Sequence, residues 1–449
     1  MHTDARGLPL STNDHAAATG FDAAVAMYLS DRTGLARQVK TIEQADPGFA
    51  LGHCLGGICA MLAYDGRYVL AASAALDRAR VTAADATRRE QTHIAALAAW
   101  VDGDLGRAVC WWESILADHP CDALAFRLAH FANFRLGRPQ DMVASVRRIL
   151  PRWNETVPGF AAILACQCFA EEEAGNLLAA EPAGRRAIEL DPCDLWAAHA
   201  VAHVLDMQGR RREGIAWLTG LGPHWEGANN LVHHLWWHCA LFHLEQGRFD
   251  TVLALYDTRF RNLESPLTQA MPDLYTDVQN AASMLFRLER LGVAVGARWE
   301  ELAEKAEARI GDCLSAFTLP HWMMALAATG RSEAANCLLA ALRDQGQGNG
   351  PSAAVLREVA LPVCEAVLAH RAGAYADCVA GLRPVLGAMH RLGGSHAQQD
   401  VLDQLFLDAA LRAGLEGDVR LALERLAGRR VVPPSRWIGY RDAAARFPL

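Results

Sequence analysis

The sequence predicts an all-α fold of helical-hairpin repeats winding into a right-handed superhelix, and three observations predict it. From Phe21 onward Ala, Leu, Arg and Glu dominate, apolar positions recur every three or four residues, and alternating β-branched runs are absent. Gly66, Gly103, Gly137, Gly175, Gly209 and Gly247 each separate two apolar runs, at spacings of 37, 34, 38, 34 and 38 residues. Five residues after each glycine comes Ala71, Ala108, Met142, Ala180, Gly214 or Val252, mostly small. A 34-residue helix–turn–helix unit with small residues at fixed offsets is the tetratricopeptide repeat, so the expected fold is tetratricopeptide-like.

Taken in order, residues 1–20 are polar and expected to form a loosely held N-terminal tail. Residues 21–262 hold the regular repeats. A glycine between two antiparallel helices lets the chain take positive φ, and a small residue on the second helix permits close approach. The turns His119-Pro120-Cys121-Asp122 and Asp191-Pro192-Cys193-Asp194 end in an aspartate able to cap the next helix. Residues 263–449 are expected to be divergent repeats continuing the same superhelix. There Gly330 with Ala335, Gly373 with Cys378 and Gly417 with Ala422 keep the offset at the longer spacings of 43 and 44. Residues 275–311 read as helical without repeat character, residues 345–351 as a loop, and Gly393-Gly394 as a turn with Ser395 capping a helix.

Bulk composition narrows the functions. A chain of 449 residues with 52% hydrophobic and 21% charged residues is a folded one. A net charge of -8 and a pI near 6.1 argue against a nucleic-acid partner, because phosphate backbones need a basic face. The N-terminus lacks a basic-then-apolar leader, and no run reaches the roughly 18–20 apolar residues of a membrane span. No membrane partner and a cytoplasmic location are therefore expected. Twelve scattered cysteines without a C-x-x-C pair read as small core residues, not a disulfide framework.

The chain resembles the tetratricopeptide repeat protein 38 family over almost its whole length. The resemblance is carried by residues 7–11, 199–209, the His-Leu-Trp-Trp-His block at 234–238, the Leu-Phe-Arg-Leu-Glu segment at 285–289, residues 295–299 and residues 393–400. Phe286 and Gln399 depart from the family pattern. The resemblance implies an all-helical repeat fold and hands over no biochemical activity.

The functional signal is a concentration of histidine: seven of 17 fall between positions 199 and 243. Counting back from each turn glycine assigns an inward face to each first helix. Arg127, Phe131 and Phe134 fall on one such face, and Phe169 and Glu172 on the next. Trp196, His199, His203 and Asp206 follow, and then His234 and Trp237. His199/His203 and His234/His238 are pairs four apart, with Cβ atoms about 5–6 Å apart on a helix, so each pair is able to chelate one ion. Glu172 or Asp206 stands near in the repeat order, whereas His238 falls partly off the inward face. Alternatively His199, His203 and His234 are acid/base candidates, their pKa values tuned by tryptophan and carboxylate neighbours. The bland alternative is that these side chains hold successive repeats in register.

Three classes compete: a peptide-gripping scaffold, a small-molecule binder, and an enzyme using the same groove. Peptide grooves of this fold are often Lys-, Arg- and Asn-rich, whereas this one is His, Trp and acidic. The expectation is therefore a small molecule or short peptide in a His/Trp-lined concave groove, contacted by Arg127, Phe131, Glu172, Trp196, Asp206, Trp237 and His238. No cofactor or metal is named by the sequence. Other histidines read as structural: His130 and His93 as packed and hydrogen-bonded, with Arg287/Glu289 an ion pair and Arg298/Trp299 a stacked cation.

Overall fold

A computed structural model describes residues 2–449, and nearly all of its regular structure is helix. Helices come in pairs: Arg88–Val101 with Leu105–Asp118, Ala123–Arg135 with Pro139–Ile149, Phe160–Glu173 with Leu177–Leu190. Leu195–Met207 with Arg211–Leu221 and Leu231–Leu244 with Phe249–Leu255 continue the series. The turns within these pairs contain Gly103, Gly137, Gly175, Gly209 and Gly247, with φ between 66° and 85°. Only glycine takes that left-handed region without Cβ strain, which is why the period was readable.

Two turn assignments change. Gly66 opens a short 3-10 turn, and the left-handed residue there is Tyr64, with φ of 48°. Its ring is held between Trp100, 5.9 Å away, and the Arg135 guanidinium, 3.3 Å from the ring centroid. Near the C-terminus Gly414 and not Gly417 ends the helix His396–Ala413, with φ of 69°. Gly393 and Gly394 do form a turn, and Ser395 caps that helix through a reciprocal box with Gln398. Residues 275–311 hold a helical pair after all, Tyr275–Arg290 and Arg298–Ala308, joined through Gly292.

The small-residue offset has a measurable purpose at Gly214. A Cβ there would sit 2.3 Å from the Phe242 ring, so the helix Arg211–Leu221 lies as close to Leu231–Leu244 as a glycine permits. The N-terminal residues are held in place where a loose tail was expected. His2–Thr3 pairs antiparallel with Pro9–Leu10, and the Asp4 carboxylate accepts the Arg6 and Leu8 amides at 2.9 Å each. Burial of Leu10 anchors the ribbon.

The chain divides into two compact units, Met1–Val201 with His224–Asn229, and Ala202–Pro223 with Asn230–Leu449. The first has a core that includes Phe21, Phe49, Trp112 and Phe126; the second is built around Trp237, Phe242, Phe260 and Phe406. Seven of the twelve cysteines are buried and none is in a disulfide among the described residues. No helix among them is long and apolar enough to cross a membrane.

Candidate functional site

The helix Leu195–Met207 carries four of the candidate residues, Trp196, His199, His203 and Asp206, at three- and four-residue spacing. It starts where the Asp194 carboxylate accepts the Ala197 amide at 2.8 Å, the cap expected from the Pro-Cys-Asp turn. The division between the units falls within this one continuous helix, so Trp196 and His199 belong to the first unit, His203 and Asp206 to the second.

In the first unit the candidates form an aromatic cluster around an arginine. Trp196 packs at 4.6 Å from Phe131, 4.7 Å from Phe169 and 4.6 Å from His199, ring centroid to centroid. The Arg127 guanidinium lies 4.5 Å from the Phe131 ring centroid and 5.0 Å from that of Trp196. It is fully buried, and its charge is met by Asp31 at 3.0 Å, while a second nitrogen donates to Cys166 Sγ at 3.2 Å. Arg127 was expected as a ligand contact; its geometry makes it an internal tie between Asp31 and the stacked rings. Glu172 is also fully buried, on the neighbouring helix Phe160–Glu173.

In the second unit His203, His234, Trp237 and His238 converge. His203 and His238 lie 4.5 Å apart, His234 and His238 4.7 Å, and Trp237 lies 5.1 Å from His234 in a parallel stack. The nitrogens of the three imidazoles lie within 4.8 Å of one another. His234 Nδ1 donates to Asn280 Oδ1 at 2.9 Å, which puts the lone pair of that ring on Nε2. Burial holds the His234 imidazole down to about 3 against a contribution from Asn280, and burial with the two neighbouring imidazoles holds His238 well below its ordinary value. These are neutral rings at physiological pH. His238, expected to turn partly away, is fully buried, with its ring centroid 4.5 Å from that of His203.

Asp206 departs from expectation. Its carboxylate pairs with Arg430 at 2.7 Å, and that guanidinium stacks 4.0 Å from the Trp437 ring, so Asp206 anchors the C-terminal segment of the second unit. Nine of the ten candidates are buried and Phe131 is half-buried, so these side chains are packed away from solvent. The reason is packing: aromatic rings and neutral imidazoles gain more from contact with each other than from water.

The remaining readings divide. His93 is packed and bonded as expected, its Nε2 3.0 Å from Asp122. His130 is packed among rings, but neither of its nitrogens has a hydrogen-bond partner in the protein. Arg287 pairs with Asp400 instead of Glu289, because residues two apart on a helix point to different sides. Trp299 donates to Glu289, and the cation over its ring is Arg371 instead of Arg298. Sequence reasoning missed Asn280 and Arg430 as partners. Both lie where the repeat spacing had loosened, and nothing local marks either one.

No protein-family model matches the chain. Among solved structures it is similar to a human IFIT1 dimer with m7Gppp-AAAA, at 12% identity and a TM-score of 0.38, over 84% of this chain and 90% of that one. The exclusion of a nucleic-acid partner on net charge does not stand. The physical fault lies in the argument from net charge, since -8 averages the whole surface and says nothing of the sign on one face. In fold, the chain is an all-α protein of tetratricopeptide-like helical hairpins.

Proposed function

We propose that the chain is a small-molecule-binding repeat protein whose site is the enclosed His203, His234, Trp237 and His238 set. One observation carries this reading. Next to these rings, two fully buried donors, Trp237 Nε1 and Asn280 Nδ2, have no acceptor in the protein. A buried donor left unsatisfied costs about 1–3 kcal/mol, and a polar ligand with acceptor atoms removes that cost. Trp237 supplies a flat apolar face for the same ligand, as small-molecule sites combine apolar walls with a few fixed polar groups.

An acid/base enzyme using His199, His203 and His234 is the second reading. With His234 held near 3, its imidazole is neutral and a weak base at pH 7, which favours binding over proton transfer. A peptide clamp is disfavoured because the candidate side chains are buried. Membership of the tetratricopeptide repeat protein 38 family, on the motifs at 199–209 and 234–238, and a cytoplasmic location complete the proposal.

Thermal stability of the full chain, measured against a panel of amino acids, small carboxylic acids and mononucleotides, tests the reading. A compound at a hundred times its Kd adds about 2.7 kcal/mol to stability. The expected result is a compound that stabilises the wild type and binds at least about tenfold more weakly to Trp237→Phe and His234→Gln. Equal stabilisation of all three proteins, or no effect of any compound on the wild type, removes this site.

A further inference from the structure

We infer that His203, His234 and His238 form a binding site for a divalent transition-metal ion of the zinc class. The inference names the ligand class of the enclosed site and rests on its being a ligand site.

Four observations support it. The first is donor chemistry: three imidazoles without a carboxylate among them suit zinc, copper, nickel or iron, and suit calcium or magnesium poorly. The second is spacing. His234 and His238 stand four apart on Leu231–Leu244, on one face, and His203 comes to them from Leu195–Met207. Two helices thus present a pair and a single ligand, an arrangement that backbone hydrogen bonding keeps rigid.

The third is distance. The three nitrogens lie within 4.8 Å of one another. Two nitrogens on one tetrahedral zinc, each at about 2.0–2.1 Å from the ion, are about 3.3 Å apart. Binding of an ion therefore requires the nitrogens to close by up to about 1.5 Å. The fourth is the outer partner of His234. Ligating histidines almost always donate their other ring nitrogen to a carbonyl, carboxylate or water. Nδ1 of His234 does so to Asn280 Oδ1 at 2.9 Å, which leaves Nε2 as the ligating atom.

Burial of all three rings limits the access of water to a bound ion. Asn280 is a positioning residue in this scheme and touches no metal.

The test uses the untagged full-length protein, stripped with a chelator and titrated with Zn2+ against a chromophoric competitor, and separately with Co2+ followed by its visible absorbance. The expected result is one ion per chain with a four-coordinate cobalt spectrum. Affinity should fall roughly a hundredfold or more in His203→Ala and in the His234→Ala, His238→Ala double variant, and by about 10- to 100-fold in Asn280→Ala with the stoichiometry kept. Circular dichroism of the metal-free variants checks the fold, and His203→Gln and His238→Gln replace any alanine variant that unfolds. No stoichiometric ion in the wild type, or equal affinity in wild type and histidine variants, overturns the inference. Running the compound panel on the stripped protein separates the two ideas. A compound that stabilises metal-free wild type through Trp237, with no ion bound, leaves the small-molecule reading standing and sinks this one. Bound zinc with an inert panel does the reverse.

Discussion

At the scale of single residues, burial decides which charges the interior tolerates. Asp194 caps the helix Leu195–Met207 from a fully buried position, and burial pushes its carboxyl up to about 7, against the opposing pull of the Ala197 amide and Arg127. A folded pKa above the unfolded 3.8 means the native state holds the proton more tightly, so this group costs stability as pH rises from about 4 to 7. Asp194→Asn keeps the capping oxygen and removes the titration. Urea unfolding at pH 8 should show the variant more stable by on the order of 1–3 kcal/mol, with the advantage gone near pH 4. His234 works in the opposite direction. Its folded pKa of about 3 lies below the ordinary 6.5, so its contribution is fully present above pH 6.5 and is lost as pH falls toward 3. The acid limb of a stability–pH curve should therefore be shallower in His234→Gln than in the wild type, and an unchanged limb would mean that the ring is solvated in solution.

At the scale of elements, the hairpin is the unit and its turn glycine the mark that made it legible. Gly103, Gly137, Gly175, Gly209 and Gly247 all take positive φ where the period put them. Where another residue solves the same turn the signal fails, as at Tyr64, whose left-handed backbone is supported by contacts from Trp100 and Arg135 that lie 36 and 71 residues away. The small-residue offset is equally physical. Gly214→Ala places a methyl group 2.3 Å from the Phe242 ring, which forces either the ring or the helix to move. Such overpacking typically costs about 1–3 kcal/mol, so the denaturant midpoint should drop with little change in m. A midpoint equal to wild type would show that the two helices are not held at the spacing described.

At the scale of the whole molecule, the second unit is closed by contacts that no local pattern announces. In the second unit the segment after the last long helix returns to residues 206–245. Arg430 pairs with Asp206 at 2.7 Å, the Ile438 amide donates to Glu245 at 3.1 Å, and Arg211 lies 4.9 Å from the Trp437 ring centroid. Asp206 and Arg430 are both buried side chains, 224 residues apart in sequence. Removing one partner of such a pair strands the other charge and costs about 3–5 kcal/mol. Arg430→Ala should therefore lower the thermal midpoint clearly. The double variant Asp206→Asn, Arg430→Met should recover much of the loss, because the stranded carboxylate is gone. Failure of that rescue would show that the pair acts through packing alone.

Composition, the glycine period and the small-residue offset determined, without coordinates, an all-α chain of paired helices and the helices on which the histidines sit. They did so because helical turns and close helix approach are local demands, met by residues a few positions apart. The tertiary structure alone decided that His238 joins His203 and His234, that Asn280 orients one of those rings, and that Arg430 claims Asp206. Those pairings depend on which faces meet after dozens or hundreds of intervening residues, and burial there is set by neighbours that the local sequence does not name.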